Sequence, residues 1–331
     1  METLPARTRA APAAGGFTLI ERSVTVHTTM RPLVLLLMAL GASMFAASAD
    51  GDHPRILTGG VTTYTTSAGD SLRSIGARFG VDVPALAADN GLTPAARLAV
   101  GQALRVDNRH LVPSAVLPGA ILINLPQRML FFDADGETAG MPVAVGRPSW
   151  RTPIGPFAIL TKETNPTWDV PISIREEARR LGRTLPATVP PGPDNPLGRF
   201  WLGLSLPGLG IHGTNAPSSV YGAVTHGCLR LGPEDIDRLF SRVTIGTTGR
   251  IVYEPILLAV VGDQILLEVH GDVYRRLTSP PRDVVASLVA AAGLDRDVDW
   301  ARADAVIAAR HGVARVVGTR ENPRRTRTIS R

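Results

Sequence analysis

The stretch GIHGTNAPSSVYGAVTHGCLRL, residues 210–231, contains Cys228, the single cysteine of a 331-residue chain. Alternation over THGCLRL predicts a β-strand with His226, Cys228 and Arg230 on one face and leucine or glycine on the other. Directly after it, Pro233 and two acidic residues have the composition of the first turn of a helix. The thiol is therefore predicted at the end of a strand, next to a turn.

A thiol attacks a carbonyl efficiently only when a base or a positive field favours the thiolate. His226 would point alongside Cys228 on the same strand, which suits a hydrogen bond that shapes the site. His212 ends a second strand-like run, LGIHGTN, whose turn lets the two strand ends converge. We therefore expect His212 to be the base, with Arg230 nearby. Gly227 has no side chain, so the N–H groups around it can approach a developing oxyanion.

The central segment, residues 115–254, has strand periodicity, with a hairpin predicted at Asp133–Gly136. Pro113 and Pro118 mark the linker before it, and 33 glycines and 27 prolines in the chain fit an architecture with many turns. The proline-rich run of residues 186–198 is predicted as an ordered loop near the functional face. The sequence therefore predicts a mainly β central domain.

The preceding segment, residues 60–108, follows the pattern strand, helix, helix, strand. Asp70 or Ser71 is placed to begin the first helix, and Gly80 to end it. The second, shorter helix is predicted to end near Asn90–Gly91. This segment resembles the LysM module, a small βααβ fold that in its family binds the N-acetylglucosamine-containing glycan of peptidoglycan or chitin.

The C-terminal region, residues 255–331, is predicted to be α+β. It has a strand-like run, QILLEVHGDVYRR, followed by two amphipathic helical stretches, RDVVASLVAAAGL and WARADAVIAARHG. The basic tail, TRENPRRTRTISR, has the composition of a disordered segment. We expect the folded part to pack against the central domain and to cover part of its edge.

The first 49 residues predict export. Met30–Ala49 combines a basic start, an apolar run too short to span a membrane and a small-residue end, so cleavage is expected after Ala49. Met30 is an alternative start of translation. We place the protein in the periplasm, in contact with the membrane only through the signal if it stays uncleaved. A lone thiol in an oxidising compartment is a liability unless it is buried or used.

The formal net charge of +6 fits an anionic partner, such as a nucleic acid, a lipid surface or a cell wall. Helix-turn-helix, zinc-finger and aromatic RNA-binding motifs do not accompany the basic residues, so we expect no nucleic-acid partner. The charge therefore agrees best with a wall or membrane surface.

The elements IHGTN and VTHGCLRL together resemble the signature of the L,D-transpeptidase catalytic domain, also called the YkuD or ErfK/YbiS/YcfS/YnhG family. The likeness extends through GRPSWRTPIGPF, PATVPPGPDNPLGRFWLGL and EDIDRLF. It implies a β-sandwich-like, mostly antiparallel fold with Cys228 as the nucleophile and His212 as the base, oriented by the Gly213 carbonyl. The substrate-binding residues are then expected to be His226, Arg230, Asn215, Thr225, where a serine is usual, and Tyr221, where a glycine is common.

The same resemblance implies an enzyme of peptidoglycan that uses neither a metal nor a cofactor. Cys228 would attack the carbonyl that joins the third stem residue, typically meso-diaminopimelate, to the terminal D-alanine of a tetrapeptide stem. D-alanine would leave and a thioester would remain. An amine of a second stem would give a 3-3 cross-link, and a lysine of an outer-membrane lipoprotein would anchor that protein. Water as acceptor would make the enzyme an L,D-carboxypeptidase.

Three other classes of protein could use parts of this sequence. A zinc site built from His212, His226 and Cys228, with one open position, would suit a hydrolase. A papain-like hydrolase is disfavoured, because those enzymes place the nucleophile before the histidine in the chain. A cell-wall adhesin would use only the glycan-binding module, and its second domain would be an inert spacer.

Overall fold

The computed structural model describes residues 57–113, 118–134 and 137–320. The predicted export signal, the tip of the predicted hairpin and nearly all of the basic tail lie outside the described residues. Within the described ranges, no helix is long and apolar enough to cross a membrane.

The N-terminal module has the predicted βααβ order, with two short flanking strands. Strands β2 and β3 pair in antiparallel register, and the apolar faces of both helices close over them. The elements are β1 (Leu57–Thr58), β2 (Val61–Thr65), α1 (Leu72–Phe79), α2 (Val83–Ala88), β3 (Ala103–Asp107) and β4 (His110–Leu111).

Side-chain caps fix the bounds of helix α1. The Ser71 hydroxyl accepts from the Ser74 N–H at 3.1 Å, and the Ser74 hydroxyl accepts from the Ser71 N–H at 2.9 Å, which completes a capping box. Asp70 instead accepts from the hydroxyl of Tyr64 at 2.7 Å. Gly80 ends the helix in the left-handed conformation, with φ 73°, as predicted.

The central domain is a closed, barrel-like β-sheet in which most neighbouring strands are antiparallel. Strand β7 pairs with β14 on one side and with β6 on the other, which closes the ring. The elements are β5 (Ile121–Asn124), β6 (Met129–Ala134), β7 (Glu137–Gly146), β8 (Gly155–Thr164), β9 (Trp168–Asp169), α3 (Ile172–Arg180), β10 (Thr188–Val189), β11 (Phe200–Leu204), β12 (Gly210–His212), a 3-10 turn (Pro217–Ser219), β13 (Ala223–Thr225), β14 (Leu229–Leu231), α4 (Pro233–Arg242) and β15 (Thr248–Val252). The prediction of a mainly β domain is confirmed.

The core of this domain lies inside the ring and under helix α4. Buried aliphatic side chains from the strands meet Ile236 and Leu239 of α4. Helix α4 begins at Pro233 with acidic residues in its first turn, as the sequence predicts. The predicted hairpin is present as the antiparallel pair β6–β7, in which Ala134 and Glu137 are partners.

The C-terminal region forms a three-stranded sheet with two helices packed on it. The elements are β16 (Ile256–Val261), β17 (Gln264–Val269), α5 (Pro281–Ala291), α6 (Trp300–Ala309) and β18 (Arg315–Thr319). The prediction of one strand through QILLEVHGDVYRR is wrong beyond Val269. The Asp272 carboxylate accepts from the N–H groups of Arg276 and Leu277, at 2.8 Å each, and turns the chain there.

A buried polar cluster joins the three parts of the chain. The Glu268 carboxylate lies 2.8 Å from a ring nitrogen of both His110 and His270, and it accepts from the Gln127 amide at 2.8 Å. The other ring nitrogen of His110 faces the Gly80 carbonyl at 2.8 Å. Hydrogen bonds to the carboxylate offset part of the desolvation of these groups, so the cluster connects the regions in one buried network.

Candidate active site around Cys228

Cys228 lies in a sharp turn between β13 and β14. The prediction of one continuous strand through THGCLRL is wrong, because the chain leaves strand geometry at residues 226–228. Gly227 has φ 112°, a conformation that favours glycine. The Thr225 hydroxyl holds the turn: it donates to the Cys228 carbonyl at 2.6 Å and accepts from the Gly227 N–H at 3.2 Å. The Gly227 N–H is therefore already engaged, which does not fit the oxyanion role expected for it.

A second layer of hydrogen bonds supports this turn from below. The Thr152 hydroxyl donates to the Gly227 carbonyl at 2.8 Å and accepts from the Gly146 N–H at 2.9 Å. The hydroxyl of Tyr274, a buried residue of the C-terminal region, donates to the Gly146 carbonyl at 2.6 Å. The C-terminal region therefore packs directly beneath the cysteine, and sequence reasoning missed both supporting residues.

The Cys228 thiol is partly buried against strand β12 and its preceding turn. The Sγ atom donates to the Gly208 carbonyl at 3.8 Å. Burial raises the pKa of Cys228, while a hydrogen bond from the Gly210 backbone and the nearby Arg230 charge act in the opposite direction. The resting sulfur is therefore a thiol that needs a base when it reacts.

His212, the last residue of β12, is held as a neutral imidazole. Its Nδ1 donates to the Gly213 carbonyl at 2.7 Å, as expected, so Nε2 carries the free lone pair. Burial, together with the Arg230 charge, lowers the pKa of His212 to about 4, against the opposite effect of the Gly213 carbonyl. The Trp201 ring stacks on the imidazole, with 6.0 Å between ring centroids. This histidine is thus a base at neutral pH.

Arg230 lies beside both groups because β12 and β14 run parallel. His212 and Arg230 are partners in the register, so their side chains leave the sheet on the same face. One guanidinium nitrogen of Arg230 donates to the Ser219 hydroxyl at 2.8 Å. Its Nε atom is buried and has no hydrogen-bond partner among residues 57–113, 118–134 and 137–320. Arg230 is therefore anchored at one end.

His226 does not lie alongside Cys228 but turns towards helix α3. Its Nε2 is 2.6 Å from the Glu177 carboxylate and 3.0 Å from Arg147, and the Trp150 ring lies against it at 5.2 Å between centroids. Hydrogen bonds from Arg147, and then from His226, lower the pKa of Glu177 to about 2. Glu177 and Arg147 lie far from the motif in sequence, and no local signal points to them.

A groove of about 220 Å³ opens beside His226. Its charged walls are Arg147, Glu177 and Arg183, and apolar side chains from helix α3 and the segment after it form the rest. The groove can therefore hold an aliphatic chain with a charged end.

The two remaining predicted binding residues, Asn215 and Tyr221, lie in different environments. The Asn215 amide donates to the Pro193 carbonyl at 3.2 Å and ties the proline-rich loop to the turn after His212. That loop is irregular apart from β10, as predicted. Tyr221, predicted to bind substrate, is buried, with only 6% of its surface exposed. Tyr221 packs beneath the N-terminal module instead.

The zinc alternative does not fit the geometry. Among the described ranges, the only group of three candidate ligands within 4.8 Å is His110, Glu268 and His270. In that group the Glu268 carboxylate lies at hydrogen-bond distance from both histidines, and His226 contacts Glu177 rather than Cys228. The side chains around Cys228 therefore suit nucleophilic rather than zinc chemistry.

Comparison with known proteins agrees with this geometry. The L,D-transpeptidase catalytic domain matches residues 118–253, and the LysM domain matches residues 64–107. The probable L,D-transpeptidase YcfS of Escherichia coli is 33% identical over 222 residues, which cover 65% of this chain and 69% of that protein. ErfK/SrfK of Salmonella typhimurium, also a probable L,D-transpeptidase, is 31% identical over 221 residues, 64% of this chain and 71% of that protein.

A third relative, the probable L,D-transpeptidase YbiS of Escherichia coli, is 33% identical over 174 residues. The match covers 52% of this chain and 56% of YbiS, so the chain spans about half of that relative. A partly buried thiol, a neutral imidazole and an arginine lie along the parallel pair β12–β14, in a domain that matches the L,D-transpeptidase catalytic domain. The chain belongs to the L,D-transpeptidase family, and a LysM module precedes its catalytic domain.

Proposed function

We propose that the protein is a cysteine-dependent L,D-transpeptidase acting on peptidoglycan stem peptides. The observation that carries the proposal is the placement of the Cys228 thiol and the neutral His212 imidazole along the parallel pair β12–β14, with the Arg230 cation acting on both groups. Membership of the L,D-transpeptidase family supports it.

In the first step, Cys228 Sγ attacks the carbonyl carbon between the third stem residue and the terminal D-alanine. His212 Nε2 accepts the thiol proton, because Nδ1 already donates to Gly213. His212 then gives this proton to the leaving amine, the C–N bond breaks, and free D-alanine departs. The acyl group remains on sulfur as a thioester.

The charge that develops on the carbonyl oxygen needs donors. The Gly227 N–H is used by Thr225, so the backbone candidate that remains is the N–H of Cys228 itself. The Arg230 cation adds a favourable field for both the thiolate and the oxyanion. We assign oxyanion stabilisation to these two groups.

In the second step, a neutral amine attacks the thioester and His212 accepts its proton. Sulfur leaves and takes that proton back from His212. A diaminopimelate amine of a second stem gives a 3-3 cross-link, and a lysine of an outer-membrane lipoprotein gives an anchored protein. Water in place of the amine gives an L,D-carboxypeptidase, the alternative with the same first step.

We assign the groove beside His226 to the side chain of the third stem residue. The side chain of meso-diaminopimelate is a methylene chain that ends in a carboxylate and an ammonium. The apolar walls suit the chain, Arg147 and Arg183 suit the carboxylate, and Glu177 suits the ammonium. A lysine side chain, which lacks the carboxylate, would face the two arginines without compensation.

We also propose that the LysM module binds glycan strands and keeps the enzyme at the cell wall in the periplasm. The competing adhesin hypothesis uses the same module but gives Cys228 no role. It therefore predicts that Cys228→Ala leaves every activity unchanged.

The test is incubation of the mature protein with a disaccharide-tetrapeptide, followed by mass spectrometry of protein and products. We expect an adduct on Cys228, release of D-alanine and neither event in Cys228→Ala. A dimeric product indicates cross-linking, and a tripeptide product indicates carboxypeptidase action. Glycan binding without adduct or free D-alanine would contradict the enzyme proposal and favour the adhesin.

A further inference from the structure

The segment Pro217–Gly222, which leads to the cysteine turn, lies between the LysM module and Arg230. From the module, Arg73 Nε in helix α1 donates to the Ser218 carbonyl at 3.2 Å. On the other side, the next residue, Ser219, accepts from Arg230 at 2.8 Å. Helix α1 therefore contacts the segment one residue away from the anchor of Arg230.

The LysM module holds the far end of the same segment through a second set of contacts. Asp82, which precedes helix α2, pairs with Arg128 at 2.6 Å. Arg128 in turn donates to the Tyr221 carbonyl at 3.2 Å, and its guanidinium lies over the Tyr221 ring, 4.2 Å from the centroid. The carboxylate of the module thus orients the arginine that holds Tyr221.

Tyr221 itself is in an unusual backbone conformation, with φ 60°. A tyrosine adopts this region only where its surroundings compensate for the strain. Here the ring is buried with Ala77 of helix α1, Val112 of the linker and Phe131 of β6. Position 221 is therefore occupied by a residue whose strained conformation depends on packing under the module.

We propose that the LysM module of this protein is a structural part of the active site, and that Arg73 and Asp82 are positioning residues that fix Ser219 and, through it, Arg230 beside Cys228. The consequence of this inference for catalysis rests on the proposed function, whereas the contacts between the module and the segment do not depend on it. Arg230 depends on Ser219 because its Nε finds no partner in the described part of the chain. Loss of the module's contacts would free the guanidinium and weaken its field at the sulfur.

The rate of alkylation of Cys228 by iodoacetamide against pH tests this without any substrate. The chain has one cysteine, so the reaction reports on this thiol alone in the mature, full protein. The alkylation rate rises with pH as the thiol ionises, and the midpoint of that rise is the quantity compared. We expect this midpoint to rise by about half a pH unit in Arg73→Ala and Asp82→Asn, and further in Ser219→Ala. Arg230→Ala sets the upper limit. Arg97→Ala, an exposed position of the same module, is the matched control and keeps the wild-type midpoint.

Two further results decide the inference. Ser219→Thr keeps the hydroxyl and is expected to restore the wild-type midpoint. The proposal would be overturned if Arg230→Ala raised the midpoint while Arg73→Ala and Asp82→Asn both kept the wild-type value. It would also be overturned if Arg230→Ala itself left the midpoint unchanged. Ser219→Ala leaves the module intact, so it remains informative if Arg73→Ala does not fold. Absence of D-alanine release would contradict the proposed function and leave these midpoints as they are.

Discussion

His212 and Arg230 are register partners across the parallel pair β12–β14, so an imidazole and a guanidinium leave the sheet side by side. Burial, together with the Arg230 cation, lowers the pKa of His212 and keeps the imidazole unprotonated well below neutral pH. The base of this site is therefore available in acid, where an ordinary histidine would be protonated.

We predict that the rate of adduct formation stays nearly constant from pH 7 down to about 5 and falls only as His212 becomes protonated, near its pKa of about 4. Removal of the neighbouring charge in Arg230→Ala raises the pKa of His212 and moves this acid limb upward. The pH profile of D-alanine release, measured for the wild type and for Arg230→Ala, gives the acid limb of each protein. An acid limb near 6.5 in the wild type would show that His212 is not the base.

Thr152→Val is predicted to loosen the cysteine turn without changing side-chain volume much. Valine cannot donate to the Gly227 carbonyl, and it leaves the buried N–H of Gly146 without an acceptor. We expect a loss of about 1–3 kcal/mol in the free energy of unfolding, and adduct formation slowed about tenfold. Thr164→Val, on an exposed position of β8, is the control and changes neither value. Equal rates in the two variants would mean that the turn is rigid without Thr152.

Glu177→Gln is predicted to weaken donor binding more than chemistry. The change removes the charge that pairs with Arg147 and His226 and the site that we assign to the substrate ammonium. We expect KM for a diaminopimelate tetrapeptide to rise about tenfold, with a smaller change in kcat. Glu176→Gln, one residue earlier on helix α3 and exposed, is the control. A fall in kcat at constant KM would assign Glu177 to the reaction rather than to the groove.

The buried cluster at Glu268 is predicted to make the fold sensitive to mutation and to mild acid. Glu268→Gln replaces a carboxylate oxygen that accepts hydrogen bonds with an amide nitrogen that cannot accept them, so buried partners lose their acceptor, which we expect to cost about 1–3 kcal/mol in urea unfolding. Asp263→Asn, an exposed position in the turn before β17, serves as the control and is expected to unfold like the wild type.

The pH dependence of the same transition has a definite sign. Burial lowers the pKa of His270, so the unfolded chain binds a proton near pH 6.5 that the folded chain does not. Stability is therefore expected to fall as the pH drops from 6.5 to 5. The pKa of Glu268 in the folded protein is about 2, below its ordinary value of 4.5. The stability that this carboxylate contributes is therefore complete above pH 4.5 and is lost only as the pH falls towards 2. Thermal unfolding at a series of pH values measures this, and a flat profile between pH 7 and 5 would contradict it.

Local patterns in the sequence were sufficient for much of this architecture. The start of α4 at Pro233 and the end of α1 at Gly80 both depend on residues within one turn of each other. Short-range chemistry of this kind is visible without a structure.

The residues that alternation misplaced are those whose conformation depends on distant partners. Gly227 interrupts the strand because Thr152 and Thr225 hold its backbone from both sides. The contact with Glu177, 49 positions away in sequence, sets the direction of the His226 side chain, and strand alternation does not. A periodicity of two carries no information on such contacts.

The late position of Glu268 in the chain has a consequence for biogenesis. A polypeptide that emerges amino terminus first presents His110 and Gln127 long before the carboxylate that hydrogen-bonds them. Until β17 has been synthesised, burial of these polar groups would cost free energy without a compensating hydrogen bond. The earlier regions therefore cannot complete their packing one after another as they emerge. The unfinished chain, with its apolar surfaces still open, is then the species that chaperones and proteases encounter.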